Sequence, residues 1–133
     1  MKTLIVEDDV TSRLLLQTIL GAYGDCRVAA DGKEALAVYL QAQAAKQPFQ
    51  LICLDIMMPD IDGKEVLGAI RDLEKASGGL PETWSKIVMT TARNDAKTIG
   101  SSFHSLCDGY LVKPIDKAKL LDCLRRLKLI NAR

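Results

Sequence analysis

Five short apolar runs alternate with stretches of helical periodicity along this chain, and that alternation leaves few folds open to it. The strand candidates are residues 2–6, 26–29, 51–54, 86–90 and 109–112. Runs such as Leu51-Ile52-Cys53-Leu54 are continuously apolar, as strands covered on both faces require. Residues 11–23, 32–45, 62–76, 95–106 and 116–130 read as helices. Regular βα alternation with right-handed crossovers predicts a parallel sheet packed between helices.

Capping chemistry marks several helix starts. Asp31 precedes Glu34 by three residues, Asp62 precedes Glu65 by three, and Asp116 opens the last helix. That helix gathers Leu120, Leu121, Leu124 and Leu127 on one face, which is expected to cover one edge of the sheet. In the connector at 77–85, Gly78, Gly79 and Pro81 exclude a regular helix, and a surface loop is expected.

A chain of 133 residues, 48% apolar, has material for one core and hence one domain, with no second output domain expected. Eighteen basic against seventeen acidic residues exclude a general electrostatic partnership with nucleic acid or membrane. No leader pattern and no apolar run of bilayer length is found, so the expectation is a soluble, cytoplasmic protein. Residues 113–133 are locally basic, with seven Lys or Arg and two Asp. A solvated helix face accounts for this, and a docking surface for an acidic partner is the alternative. No recognition-helix pattern accompanies it, so direct DNA binding is not expected. Cys26, Cys53, Cys107 and Cys123 lack C-x-x-C spacing and His104 is the sole histidine, which argues for reduced, apolar cysteines over a zinc site.

Function should therefore lie in a site, and the polar residues at the ends of the apolar runs supply one. Glu7-Asp8 follow the first run, Asp55 the third, Thr91 the fourth and Lys113-Pro114 the fifth. In an open parallel sheet the strand carboxyl ends share one edge, so these residues converge. Three neighbouring carboxylates are costly unless a cation or a proton neutralises them. Magnesium, or manganese in its place, suits such oxygens: Asp8 and Asp55 as direct ligands, Glu7 through water, and the Met57 backbone carbonyl as a further ligand. Asp55 can accept a phosphoryl group as an acyl phosphate. Lys113 would meet a phosphoryl oxygen opposite the metal, and Thr91 could donate its hydroxyl to another. Pro114 directly after the lysine makes a cis peptide one way to aim it inward.

Four segments together resemble the receiver domain of two-component response regulators, from Lys2 to about Ile130. They are Leu4-Ile5-Val6-Glu7-Asp8-Asp9, residues 54–63 from Leu54-Asp55 to Asp62-Gly63, Thr91-Ala92, and Gly109-Tyr110-Leu111-Val112-Lys113-Pro114. The resemblance implies a flavodoxin-like α/β fold of five parallel strands in order 2-1-3-4-5 with five helices, an order for which receiver proteins are a standing example. It also implies phosphoryl transfer from a phosphohistidine to Asp55, metal held by Glu7, Asp8 and Asp55, Thr91 and Ala92 with Lys113 on the phosphoryl group, and Lys113-Pro114 in cis. Partners implied are a sensor histidine kinase or a histidine phosphotransfer protein, and a downstream target reached through the fourth helix, fifth strand and fifth helix. Thr91 and Tyr110 match the family's switch pair, with Tyr110 turning inward as Thr91 moves toward the phosphoryl group. Met57 and Arg93, two residues beyond the acceptor and the threonine, are expected to slow loss of the phosphoryl group by their bulk. One departure is Leu106, where many members end the fourth helix with Gly; a left-handed Leu106 would be strained by about 1 kcal/mol or more, or the turn differs.

Rival chemistries fit less well. Haloacid-dehalogenase phosphatases need a second aspartate two residues after the nucleophile, and here that residue is Met57. A flavodoxin binds phosphate in the loop after its first strand, where Glu7-Asp8-Asp9 would repel it. A degenerate receiver would lack acceptor-site residues, and all are present. The expected protein is thus a phosphoacceptor that acts on itself and turns over no external substrate.

Overall fold

The computed structural model describes residues 1–58, 61–92 and 106–131. Its elements are β1 (Thr3–Val6), α1 (Val10–Leu20), β2 (Cys26–Ala29), α2 (Gly32–Ala44), β3 (Leu51–Asp55), α3 (Gly63–Ala76), β4 (Lys86–Thr91), β5 (Gly109–Val112) and α4 (Lys117–Arg126). All strand pairs are parallel, in the order β2-β1-β3-β4-β5. That is the expected order. The helix predicted at 95–106 falls outside the described residues except for Leu106, so α4 is the fifth predicted helix.

Strand residues alternate between two cores. Leu4, Val6, Ile52, Leu54, Ile87 and Met89 face α2 and α3, with Val38, Tyr39, Val66, Leu67 and Ile70. Ile5, Leu51, Cys53, Val88 and Leu111 face the opposite side, with Leu16, Ile19 and Leu20 of α1 and Leu120, Leu121 and Leu124 of α4. Burial on both faces is why the runs show no polar alternation.

The aspartate caps form as their spacing predicts: Asp31 accepts from Glu34 N, Asp62 from Glu65 N and Asp116 from Ala118 N. Ahead of β5 the Leu106 carbonyl accepts Arg71 Nε at 2.8 Å. The connector after α3 turns at Gly78 (φ 78°) and forms a single 3-10 turn, Pro81–Thr83. Leu80 is exposed, but the loop's far end is fixed: Ser85 is buried and its hydroxyl donates to the Phe49 carbonyl at 2.6 Å.

Gly63 holds the third strand–helix turn against the site. Its N–H donates to the Ile56 carbonyl at 2.8 Å, and a Cβ here would lie 2.2 Å from the Asp55 carbonyl oxygen and 2.8 Å from Ile56 Cα. Gly63→Ala must push the backbone of Asp55 aside, and the expected cost in urea unfolding is about 1–3 kcal/mol. An unchanged midpoint would show that the turn relaxes freely.

Candidate metal and phosphoryl site

Four strand ends assemble the site. Glu7 follows β1, Asp55 ends β3, Thr91 ends β4 and Lys113 follows β5. Backbone bonds carry the sheet register past the last apolar residues: Glu7 N donates to Ala29 O at 3.0 Å, Ile56 N to Thr90 O at 3.0 Å, and Lys113 N to Thr91 O at 2.7 Å. The functional side chains therefore stand on continued sheet ladder, not on free loops.

Glu7 is fully buried and Asp55 is 3% exposed, whereas Asp8 is exposed. Ligand oxygens of the three carboxylates lie within 4.8 Å of one another. The Lys113 ammonium sits 3.2 Å from Asp55 Oδ2 and 2.8 Å from Glu7 Oε1. The Lys113–Pro114 peptide is cis. Asp55 Oδ1 accepts the Met57 N–H at 3.2 Å, and Asp9 N donates to Glu7 Oε2 at 3.3 Å.

One lysine does not balance this charge. Burial, and then the facing Glu7 carboxylate, push the Asp55 carboxyl up to about 7, against the pull of Lys113. Burial draws the Lys113 ammonium down, but its bonds and charge contacts with Glu7 and Asp55 outweigh that and hold it above its ordinary value. A fully buried Glu7 beside two more carboxylates, with one ammonium shared between Glu7 and Asp55, fits a hard divalent cation, which takes oxygen ligands.

Thr91 is fully buried and its hydroxyl donates to the Ala92 carbonyl at 3.1 Å. Tyr110 is 42% exposed on β5. Met57 is 59% exposed at the mouth of the site. Arg93, expected to flank the same mouth, lies outside the described residues, as do Pro59 and Asp60 of the following turn.

Two nearby roles escaped the sequence reading. Asp9 caps α1, accepting Ser12 N at 2.9 Å, and that backbone hydrogen bond holds its carboxyl below the usual value. The clue was an Asp three residues before a Ser, without the acidic third position of a capping box. Arg13, one turn into α1, reaches the Glu7 carbonyl at 3.4 Å.

The family model of the response regulator receiver domain matches residues 3–125. The chain belongs to this family. Among relatives it is 32% identical over 125 residues to the hybrid signal transduction histidine kinase I of Dictyostelium discoideum, covering 92% of this chain and 7% of that protein. It is 33% identical over 131 residues to the probable transcriptional regulator ycf27 of Porphyridium aerugineum, covering 95% and 49%. The chain thus spans half or less of these relatives. Among solved structures, the CheY-like receiver domain protein of Methanospirillum hungatei JF-1 superposes with a TM-score of 0.67 at 33% identity, covering 91% of this chain and 88% of that one. Vibrio cholerae chemotaxis protein CheY4 gives 0.71 at 31%, covering 95% and 97%. A receiver domain is a phosphoacceptor of two-component signalling, not an enzyme with an external substrate. None of its described helices is long and apolar enough to cross a membrane.

Proposed function

We propose that Asp55 is the phosphoacceptor of this receiver, taking its phosphoryl group from a partner's phosphohistidine. The observation that carries this reading is the strained Asp55 carboxylate, buried beside Glu7 with a single ammonium against it. An Asp55 oxygen forms the new O–P bond as the P–N bond breaks, and the imidazole leaves with a proton. Glu7, Asp8, Asp55 and the Met57 carbonyl would hold magnesium, or manganese in its place, which would offset charge on the carboxylates and the phosphoryl oxygens. Lys113 stays on the phosphoryl group, and the Thr91 hydroxyl exchanges the Ala92 carbonyl for a phosphoryl oxygen. The Ala92 backbone lies beside that group.

Movement of Thr91 opens space for Tyr110 to turn inward from its half-exposed position, altering β5 and the helices beside it. This is a shift between two existing populations, limited by how much better the phosphoryl group fits one of them. Met57 and Arg93 narrow the path of water to the acyl phosphate and lengthen its life. The partner is a histidine kinase or phosphotransfer protein. Val10 and Leu14, one turn apart on α1 and each more than half exposed, give it an apolar landing place two residues beyond Asp8.

Phosphotransfer from a radiolabelled histidine donor tests the reading. Label should appear on the protein in magnesium and vanish when a chelator removes the metal. Labelling that ignores the chelator, or that never occurs with any kinase or phosphotransfer protein of the host, would sink it.

A further inference from the structure

Two neighbouring helices on one face of the sheet differ sharply in charge. α3 carries six charged side chains over its 14 residues, whereas residues 35–45, which make up most of α2, carry none. The side of α2 turned away from the core presents Ala37, Leu40, Gln41 and Ala44, all exposed and spaced as one helix face. Leu40 is 48% exposed, and Leu73 of α3 is 38% exposed. Between the helices opens a cleft of about 200 Å³ lined by Tyr39, Leu40, Gln43, Leu73 and Ser77. A solvated helix face normally carries charge, and depletion of charge marks the centre of a protein interface.

Charge returns only at the ends of this face. Lys33 and Glu34 stand in the first turn of α2, and Lys46 stands just past its last. Lys46 is left-handed at φ 58°, its N–H on the Gln43 carbonyl at 3.0 Å and the following Gln47 N–H on the Ala42 carbonyl at 2.9 Å. This is the helix-ending position that glycine fills without strain, so a lysine stands where the backbone does not favour one. Glu34 Oε2 accepts Ala30 N at 3.3 Å, but among the described residues neither Glu34 nor Lys46 has an ion pair.

We propose that the α2 face binds the same face of a second copy of this chain, the two helices running antiparallel about a two-fold axis near Leu40 and Gln41. Ala37 then lies against Ala44 of the other copy, small residues that allow close approach, and each Leu40 packs toward the other copy's cleft. Antiparallel packing brings the Glu34 end of one α2 to the Lys46 end of the other, twice over. Lys33 falls beside the other copy's helix C-terminus, whose carbonyl end favours a cation. A parallel pair would instead set Glu34 against Glu34 and Lys46 against Lys46. The net charge of +1 puts no general repulsion between copies. A helix of 13 residues is about 20 Å long, so the contact is smaller than a standard interface and self-association is expected to be weak, emerging above roughly 100 μM. α1 and α4 pack on the opposite face of the sheet, so pairing through α2 leaves them free and does not depend on Asp55.

Sedimentation equilibrium of the full chain, from about 10 μM to 1 mM, is the test, and it should show a reversible monomer–dimer equilibrium. Leu40→Glu alters an exposed position, so it should keep the parent's thermal melt while raising the dimer dissociation constant at least about tenfold. Lys46→Gly should weaken the dimer about threefold, yet the melting temperature of dilute protein should hold or rise, because glycine suits the left-handed position. A Lys46 that only ends the helix would leave the dimer unchanged. The register is read by cross-linking under a mild oxidant, above the background of the parent's own thiols. Leu40→Cys, near the axis, should form a disulfide-linked dimer at least about tenfold faster than Ala44→Cys, whose two copies are separated by about 10 Å along the helices. A chain that stays monomeric at 1 mM, a dimer that Leu40→Glu leaves intact, or equal cross-linking at the two positions would overturn the proposal.

Discussion

Arg71→Met is expected to destabilise the domain by about 3–5 kcal/mol, the usual cost of removing one partner from a buried ion network. Arg71 is 5% exposed. Its guanidinium donates to the Leu106 carbonyl at 2.8 Å, to Glu74 Oε1 at 2.6 Å, to the Ser85 carbonyl at 2.9 Å and to Asp108 Oδ2 at 2.8 Å. Each acid is committed elsewhere too: Glu74 Oε2 accepts Ser85 N and Asp108 Oδ2 accepts Ile87 N, both at 2.8 Å. The guanidinium also lies over the Trp84 ring, 5.8 Å from its centroid. One side chain thus joins α3, the connector after it, the start of β4 and the turn into β5. Methionine keeps the stem's packing but leaves two carboxylates facing each other with no cation between them. Against a total of roughly 5–15 kcal/mol, that loss should lower the melting temperature by about 10 °C or more. Because the cost is mainly uncompensated charge, adding Glu74→Gln should recover part of it. A loss under about 1 kcal/mol would mean that water already reaches the network.

Nothing in the sequence marked Arg71 as different from any exposed helix arginine. It has Glu74 one turn away, as surface pairs do, and its other partners lie 14 to 37 residues along the chain. Periodicity reports which positions are apolar, so a buried charge is invisible to it. The same limit moved the ends of elements. Residues 26–29 and 109–112 were legible to the residue, yet β3 and β4 each run one residue past the predicted strand, to Asp55 and Thr91. Hydrophobicity stops there because the site begins, whereas the hydrogen-bond ladder continues. At the C-terminus the reverse holds: α4 stops at Arg126, four residues before the predicted end. Lys128 is left-handed at φ 62°, while Leu127, Leu129 and Ile130 still pack on the core. Burial outlasts the helix, and the apolar pattern follows burial. The site itself was legible because each member ends a strand, and strand order converts that position into proximity. Which charges are buried, and that Lys113 sits between Glu7 and Asp55, depends on tertiary packing that no local pattern encodes.

Asp55→Asn should abolish labelling by a histidine donor and, in the absence of metal, stabilise the fold above neutral pH. The two outcomes have one cause. Asp55 is buried against Glu7, and its carboxyl is raised from 3.8 to about 7. A carboxyl raised on folding keeps its proton in the native state after the unfolded chain has lost it. Its contribution is therefore harmless below pH 4, worsens as pH rises through the window from about 4 to 7, and is at its worst above it. Asparagine is neutral throughout, still accepts from Met57 N, and leaves Lys113 paired with Glu7 at 2.8 Å. With a chelator present, the variant should exceed the parent by about 1–3 kcal/mol at pH 8, and the gap should close toward pH 4–5. Magnesium should reverse the ranking, since a ligand that binds only the native state stabilises in proportion to RT ln(1 + [L]/Kd) and the variant has lost a ligand oxygen's charge. Melting curves at two pH values, each with and without magnesium, read all of this. A variant no more stable than the parent at pH 8 without metal would mean that the ionised Asp55 is not strained. The apparent cost of keeping three carboxylates together would then have to be met by the protein itself, which removes the physical reason for the cluster to take up a cation.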